Sequence, residues 1–275
     1  MDRITYDAEC ASDISFVREK NNHYDKIYFQ SNESLNPLFQ NFSVEGKDVL
    51  SVLASGDQMF YSYQEGAKSV DTFDINKLTY YYYYLRKWSI LYFNQYYPPV
   101  NDLVHSHQFL YDVFKKSELF SLEDQDAFSF WKDYTSKTLG FQNEELFYLS
   151  SNGDSNEIKD LTKLKEILKK NPLSFQHIDI SKEFPITKKY DVIILSNILE
   201  YLNFMDIDFH QLKSNLNELL NDDGIIICSH LMHRVGLEKN IFKDTFDYHE
   251  FPYYRKKSII KNLESPLGYS YTKKR

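Results

Sequence analysis

Asp48-Val49-Leu50-Ser51-Val52-Leu53-Ala54-Ser55-Gly56-Asp57-Gln58 decides the fold of this 275-residue chain. Its first seven residues form a short run rich in Val and Leu, apolar on both faces. That pattern predicts a strand buried inside a parallel sheet. Ser55-Gly56-Asp57-Gln58 follows at once as a turn able to open a helix, and the helix from Gln58 to Glu65 should stop at Gly66, a good C-cap residue. Upstream, Glu45-Gly46-Lys47 reads as the turn that leads in.

Working outward, a second strand is predicted at Ser69-Val70-Asp71-Thr72-Phe73, closing on Asp74-Ile75-Asn76. A long helix then runs from about Lys77 to Tyr96, where Pro98-Pro99 ends it. Its five successive tyrosines, Tyr80 to Tyr84, make it aromatic around much of its circumference and therefore largely covered. After the loop Ser151 to Asn156, a helix from Glu157 to Lys170 is stopped by Asn171-Pro172. Strand three is Ser174 to Ile178, ending at Asp179, and strand four is Tyr190 to Leu195, ending at Ser196-Asn197. A helix from about Phe209 to Leu220 precedes Asn221-Asp222-Asp223-Gly224, which turns into strand five, Ile225 to Cys228.

Strands alternating with helices imply right-handed crossovers and a mostly parallel sheet covered on both faces. The chain divides into an N-terminal helical or irregular segment, residues 1–45, and the first half of the α/β domain, 46–96. An aromatic helical insertion, 97–150, reads either as a lid over an acceptor pocket or as an extra covering layer, and the second half of the domain is 151–275.

Composition narrows the function. The formal charge is -8, with 40 acidic against 32 basic residues, and a net acidic surface repels phosphate backbones. No nucleic-acid partner is expected; Arg255–Lys257 with Lys261, and the tail Lys273–Arg275, read as solvated charges. Two distant cysteines, Cys10 and Cys228, make neither a disulfide framework nor a zinc set. No apolar signal run follows Met1 and no stretch is long enough to span a bilayer, so a soluble, cytoplasmic protein is expected.

Ligands of such a sheet bind outside the carboxyl ends of the strands. Those ends are Ser55-Gly56-Asp57, Asp74, Asp179 and Ser196-Asn197, an acceptor-rich set with three carboxylates. Gly56 lets backbone approach a ligand closely. Asp74, with Ile75 beside it, can accept hydrogen bonds from both ribose hydroxyls, and Asp179, followed by Ile180, from an adenine amino group. The single glycine argues against a dinucleotide, whose pyrophosphate needs G-x-G-x-x-G at the helix start. Asp57 stands where that pyrophosphate would lie, and its charge suits a cationic or zwitterionic ligand.

The run from Gly46 to Gln58 resembles the cofactor loop of class I S-adenosylmethionine-dependent enzymes, and within them the betaine-lipid 3-amino-3-carboxypropyl transferase-like group. Val70-Asp71-Thr72-Phe73-Asp74-Ile75-Asn76, Leu195-Ser196-Asn197-Ile198-Leu199-Glu200-Tyr201 and the upstream Ser31-Asn32-Glu33 carry the same resemblance. It departs from the broad class pattern, acidic-x-Gly-x-Gly-x-Gly, because Ser51, Leu53, Ser55 and Asp57 occupy those places. The resemblance implies a Rossmann-like class I methyltransferase fold and S-adenosylmethionine as cofactor. It further implies transfer of the aminocarboxypropyl group, or of methyl, to a small-molecule or lipid-like acceptor. The expected cofactor-binding residues are Ser55, Gly56, Asp57, Gln58, Asp74, Ile75, Asp179, Ile180, Ser196 and Asn197. An ordinary methyltransferase and a non-catalytic cofactor or partner binder are the alternatives.

Attack on a sulfonium carbon needs in-line orientation and exclusion of water, with acid or base help only if the nucleophile arrives protonated. Glu200 and Tyr201 are the nearest helpers, with Asn197 as an orienter. No metal is expected: His105-Ser106-His107 and His230-Leu231-Met232-His233 lack a matching ligand set. No G-x-S-x-G elbow is present, which excludes the usual serine hydrolase arrangement.

Overall fold

The computed structural model describes residues 27–31, 33, 35–99, 103–138, 147–148, 158, 160–182, 188–202, 207–230, 241–252 and 267–274. In chain order the elements are β1 (Ile27–Tyr28), α1 (Leu35–Asn41), β2 (Asp48–Val52), α2 (Asp57–Gln64), β3 (Ser69–Asp74) and α3 (Leu78–Phe93). The insertion supplies α4 (Leu103–Lys115), α5 (Leu122–Thr138) and β4 (Phe147–Tyr148), the last pairing with β1. Then come α6 (Thr162–Lys170), β5 (Ser174–His177), β6 (Tyr190–Ser196), α7 (Ile198–Leu202), α8 (Phe209–Leu219), β7 (Leu220–His230), β8 (Phe246–Pro252) and β9 (Leu267–Lys273).

Seven strands form one sheet in the order β5-β3-β2-β6-β7-β9-β8. The first five are parallel, whereas β9 runs antiparallel between β7 and β8. This order, with one reversed strand next to the edge, is the Rossmann-like class I methyltransferase fold expected from the sequence. Strand order reverses between β2 and β6, and a switch point of that kind opens a crevice at the carboxyl ends.

The period-2 alternation of the strands divides the core. Val49, Val70, Val192, Ile194 and Ile227 pack with α1 through α6 on one face. Leu50, Val52, Phe73, Ile193, Leu195, Ile226 and Cys228 pack with α7 and α8 on the other. Both faces of β2 are thus covered, which is why its sequence shows no polar alternation. Tyr81 to Tyr84 are buried, as their pattern predicts.

The described helices of the insertion join the first of these layers. Trp131 Nε1 donates to the Tyr81 carbonyl at 2.9 Å, and Phe130 stacks on the Tyr81 ring at 4.1 Å. Trp88 stacks on Phe120 at 4.7 Å and donates to Asp124 Oδ1 at 2.9 Å. A buried aromatic side chain contributes roughly 1.5–3 kcal/mol, so several such contacts fasten α5 to α3.

Several boundaries differ from the expectation. α3 ends at Phe93 because Asn94 takes a left-handed cap at φ 57°, so Pro98 and Pro99 are not what stops it. α6 begins at Thr162 rather than Glu157, β5 ends one residue earlier at His177, and α2 begins at Asp57. The expected turn Asn221–Gly224 lies inside β7 instead. Tyr190 pairs with Leu220 and Val192 with Ile225, so Asp191 alone faces those four residues across a bulge. Asp191 closes it by accepting from Asn221 Nδ2 at 2.8 Å and from the Asp48 amide at 2.9 Å. The strands β8 and β9 were not anticipated. No helix among the described residues is long and apolar enough to cross a membrane.

Candidate functional site

The carboxyl ends of β2, β3, β6 and β7 meet at one edge. Beyond β2 the chain turns tightly, with the Gly56 amide donating to the Leu53 carbonyl at 2.6 Å. Ala54 at φ 45° and Gly56 at φ 85° both lie in the left-handed region. Glycine takes that conformation freely, and a Cβ there would also meet the Phe60 ring at 3.2 Å. Alanine does not, so something must hold Ala54. Asp74, at the end of β3, does so: Oδ2 accepts from the Ala54 amide and Oδ1 from the Asn76 amide, each at 2.9 Å. Burial pushes the Asp74 carboxyl up to about 6, against the pull of the hydrogen bonds from Asn76 and Ala54.

Asp57 opens α2 from beneath the loop. Arg86 Nη1 lies 2.7 Å from its Oδ1, and both side chains are 0% exposed. The same guanidinium donates to the Ser55 carbonyl at 2.8 Å and the Tyr96 carbonyl at 3.3 Å. It sits among the rings of Phe60, Tyr96 and Tyr97, 4.4 to 4.8 Å from their centroids. Asp57 Oδ2 accepts from the Ser31 amide at 2.6 Å and from Ser55 Oγ at 2.9 Å, and the Tyr97 hydroxyl donates to Oδ1 at 3.2 Å. Burial works against the charge on Arg86, but the Asp57 carboxylate, Tyr96, Tyr97 and Tyr82 together outweigh it and hold the guanidinium pKa above its ordinary value. Burial, then Asp57, push the Tyr97 phenol far up, so it stays a donor.

This pair corrects the sequence reading of Asp57 as an open charge facing a ligand. Its carboxylate is neutralised inside the protein and fixes the loop. Burying a charge without compensating partners is costly, and the guanidinium supplies the strongest of them. Arg86 went unnoticed in the sequence because it sits in the tyrosine-rich helix, although a cation in a helix read as covered calls for a buried anion.

Glu33 supplies the third carboxylate. It is fully buried; Ser196 Oγ at 2.5 Å and Ser229 Oγ both donate to Oε1, and Gln58 Nε2 donates to Oε2 at 3.2 Å. One side chain therefore joins the ends of β6 and β7 to the start of α2. Ser196 at φ 55° is a third left-handed position at this edge, which for a non-glycine residue marks local strain. The remaining polar atom of Gln58, Oε1, is buried with no hydrogen-bond partner.

The other expected residues fall as follows. Asp179 folds into its own turn, with Oδ1 accepting from the Ser181 amide at 3.0 Å and Ser181 Oγ at 2.6 Å. Ile180 is buried and Ile75 half-buried. Asn197 is half-buried next to Ser196. Glu200 and Tyr201 lie on α7, directly after β6, but their side chains fall outside the described residues. Ser55, Gly56, Asp57, Gln58 and Ser196 are thus brought into one network, and Asp74 touches it through Ala54. Tyr97 and Ser229 were missed along with Arg86. Cys10, His233 and Arg255–Lys257 lie outside the described residues, as does Lys261. Among the described residues, no cluster of three or more His, Cys, Asp or Glu could hold a metal ion.

No protein-family model matches the chain, and no curated protein matches it. Among solved structures, the glycopeptide N-methyltransferase MtfA in complex with S-adenosyl-L-methionine is similar, with a TM-score of 0.45 and 10% identity over 92% of this chain and 99% of that one. A TehB-like SAM-dependent methyltransferase from Corynebacterium glutamicum gives 0.41 and 11% over 97% and 99%. Ribosomal protein L11 methylase from Lactobacillus delbrueckii subsp. bulgaricus gives 0.38 and 14% over 86% and 75%.

Proposed function

We propose that this chain binds S-adenosylmethionine at the carboxyl edge of its sheet and transfers a group from it to a small-molecule or lipid-like acceptor. The observation that carries the reading is Asp74, a buried carboxylate at the end of β3 that already grips the loop after β2. Its two oxygens have four lone pairs, of which the Ala54 and Asn76 amides take two and the Thr79 side chain also draws on the set, so acceptor capacity remains for the ribose. The glycine pattern that would seat a pyrophosphate is missing, and Gln58 Oε1 is an acceptor lacking a donor. These features fit a ligand with an adenosine, an ammonium and no phosphate.

In this reading Asp74 and Ile75 hold the ribose, Asp179 and Ile180 border the adenine, and Ser55, Gly56 and Gln58 flank the methionyl end, with Asp57 bracing the loop beneath. The bound cofactor supplies a sulfonium with electrophilic carbons. In the same reading Ser196 and Asn197 orient the acceptor, Glu200 and Tyr201, which follow β6 in sequence, assist its proton transfer, and the insertion, 97–150, serves as the cover that excludes water.

Methyl transfer stands ahead of aminocarboxypropyl transfer here. The argument for the latter rests on the Ser55-Gly56-Asp57 triplet, and Arg86 gives that triplet a structural role that singles out no particular carbon. Incubation with S-adenosylmethionine and a panel of amine, hydroxyl and lipid acceptors tests the proposal by its by-product. S-adenosylhomocysteine marks methyl transfer and methylthioadenosine marks the alternative; binding without either product leaves a cofactor sensor.

Affinity should also depend on pH. An acid whose folded pKa is about 6 is mostly ionised at pH 7 and mostly protonated at pH 5, and only the ionised form accepts from both hydroxyls. The dissociation constant for S-adenosylmethionine is therefore expected to rise by about tenfold between pH 7 and pH 5. Calorimetric titration across that range checks it, and Asp74→Asn should flatten the profile.

A further inference from the structure

Glu33 belongs to the segment ahead of α1, outside the sheet, yet it touches the ends of β6 and β7 and the start of α2. Ser196 Oγ, Ser229 Oγ and Gln58 Nε2 all donate to its carboxylate. A carboxylate that only accepts leaves each of them one way to point. Gln58 must turn its amide nitrogen inward, and that nitrogen also approaches Ser31 Oγ at 3.4 Å, an oxygen already accepting from the Glu33 amide at 3.1 Å. The Gln58 carbonyl oxygen is thereby directed away from Glu33, and it is the atom that ends up buried without a partner. Leaving a buried acceptor unpaired costs about 1–3 kcal/mol, and such an atom in a folded protein calls for an explanation.

We propose that Glu33 is a positioning residue that sets the direction of the Gln58 amide, and that the Gln58 carbonyl so presented receives the α-ammonium group of bound S-adenosylmethionine. The assignment rests on the cofactor reading above and adds the group that polarises the site.

The test compares two ligands that share the adenosine but differ at the amino-acid end: S-adenosylmethionine carries the ammonium and 5′-methylthioadenosine does not. In Glu33→Met the acceptor that holds the Gln58 nitrogen inward is lost, and the amide is free to turn over and present its own nitrogen to the ammonium. S-adenosylmethionine should bind at least about tenfold more weakly, roughly 1.4 kcal/mol, while methylthioadenosine stays within about twofold. Gln58→Met, which removes the carbonyl and keeps the length, should show the same selective loss and serves if Glu33→Met fails to fold, as judged by its thermal melt. Equal weakening of both ligands, or of neither, overturns the assignment and leaves Glu33 a structural tie. Wild-type protein that binds neither ligand overturns the cofactor reading itself, and the assignment with it.

Discussion

Arg86→Met should lower the unfolding free energy by about 3–5 kcal/mol, the range for removing one partner of a buried ion pair. The substitution preserves much of the side-chain volume among Phe60, Tyr96 and Tyr97 but strands the Asp57 carboxylate without its cation. The Ser31 amide, Ser55 Oγ and Tyr97 hydroxyl remain as donors, but the carboxylate loses the guanidinium that neutralises it. Chemical denaturation at pH 7 measures the loss, and a change under about 1 kcal/mol would show that the pair does not hold the loop. Adding Asp57→Asn to Arg86→Met should recover part of the stability, because the second substitution removes the stranded charge.

Asp74→Ala should behave in the opposite way, harming binding far more than folding. Two hydrogen bonds to a charged group, each worth about 1.5–3 kcal/mol, are removed from the ribose, so affinity for S-adenosylmethionine should fall at least about a hundredfold. Stability should change much less. A carboxyl whose folded pKa is about 6, above the ordinary 3.8, is penalised for ionising in the folded state. That penalty is fully present above about pH 6 and is relieved as pH falls toward 3.8, so it operates at pH 7. Deleting the side chain removes it, at about 1.4 kcal/mol per pKa unit, and thereby offsets the loss of the bonds to Ala54 and Asn76. Titration and denaturation of one variant separate the two effects; an Asp74→Ala protein that binds normally would remove the main support for the proposed site.

The parallel part of the sheet was legible because burial on both faces forces long apolar runs, as in Val49–Leu53 and Val192–Leu195, and because each run ends at a turn. The antiparallel strands β8 and β9 were not. Phe246–Pro252 carries Asp247, His249, Glu250 and a proline, and Leu267–Lys273 mixes Gly, Ser and Thr with its tyrosines. Strands near a sheet edge need less apolar surface, so their composition resembles a loop. The site was half legible. Gly56 and Asp74 announced themselves by position, since backbone geometry at the end of a strand depends on local sequence. Arg86 and Glu33 act across 29 and 163 residues, on Asp57 and Ser196 respectively; a cation in a covered helix and a resembling segment draw the eye to them, but no local pattern says which residue each one meets.

The place of β9 carries a consequence for biogenesis. It pairs along Ile225–His230 of β7, yet its own residues, Leu267–Lys273, are synthesised only after β8 has been made. Until they emerge, that flank of β7 has no partner, although β6 on its other side has already been made. An uncovered row of backbone donors and acceptors invites pairing with another chain. The interval between translation of His230 and of Lys273 is therefore when that flank is open to a wrong partner.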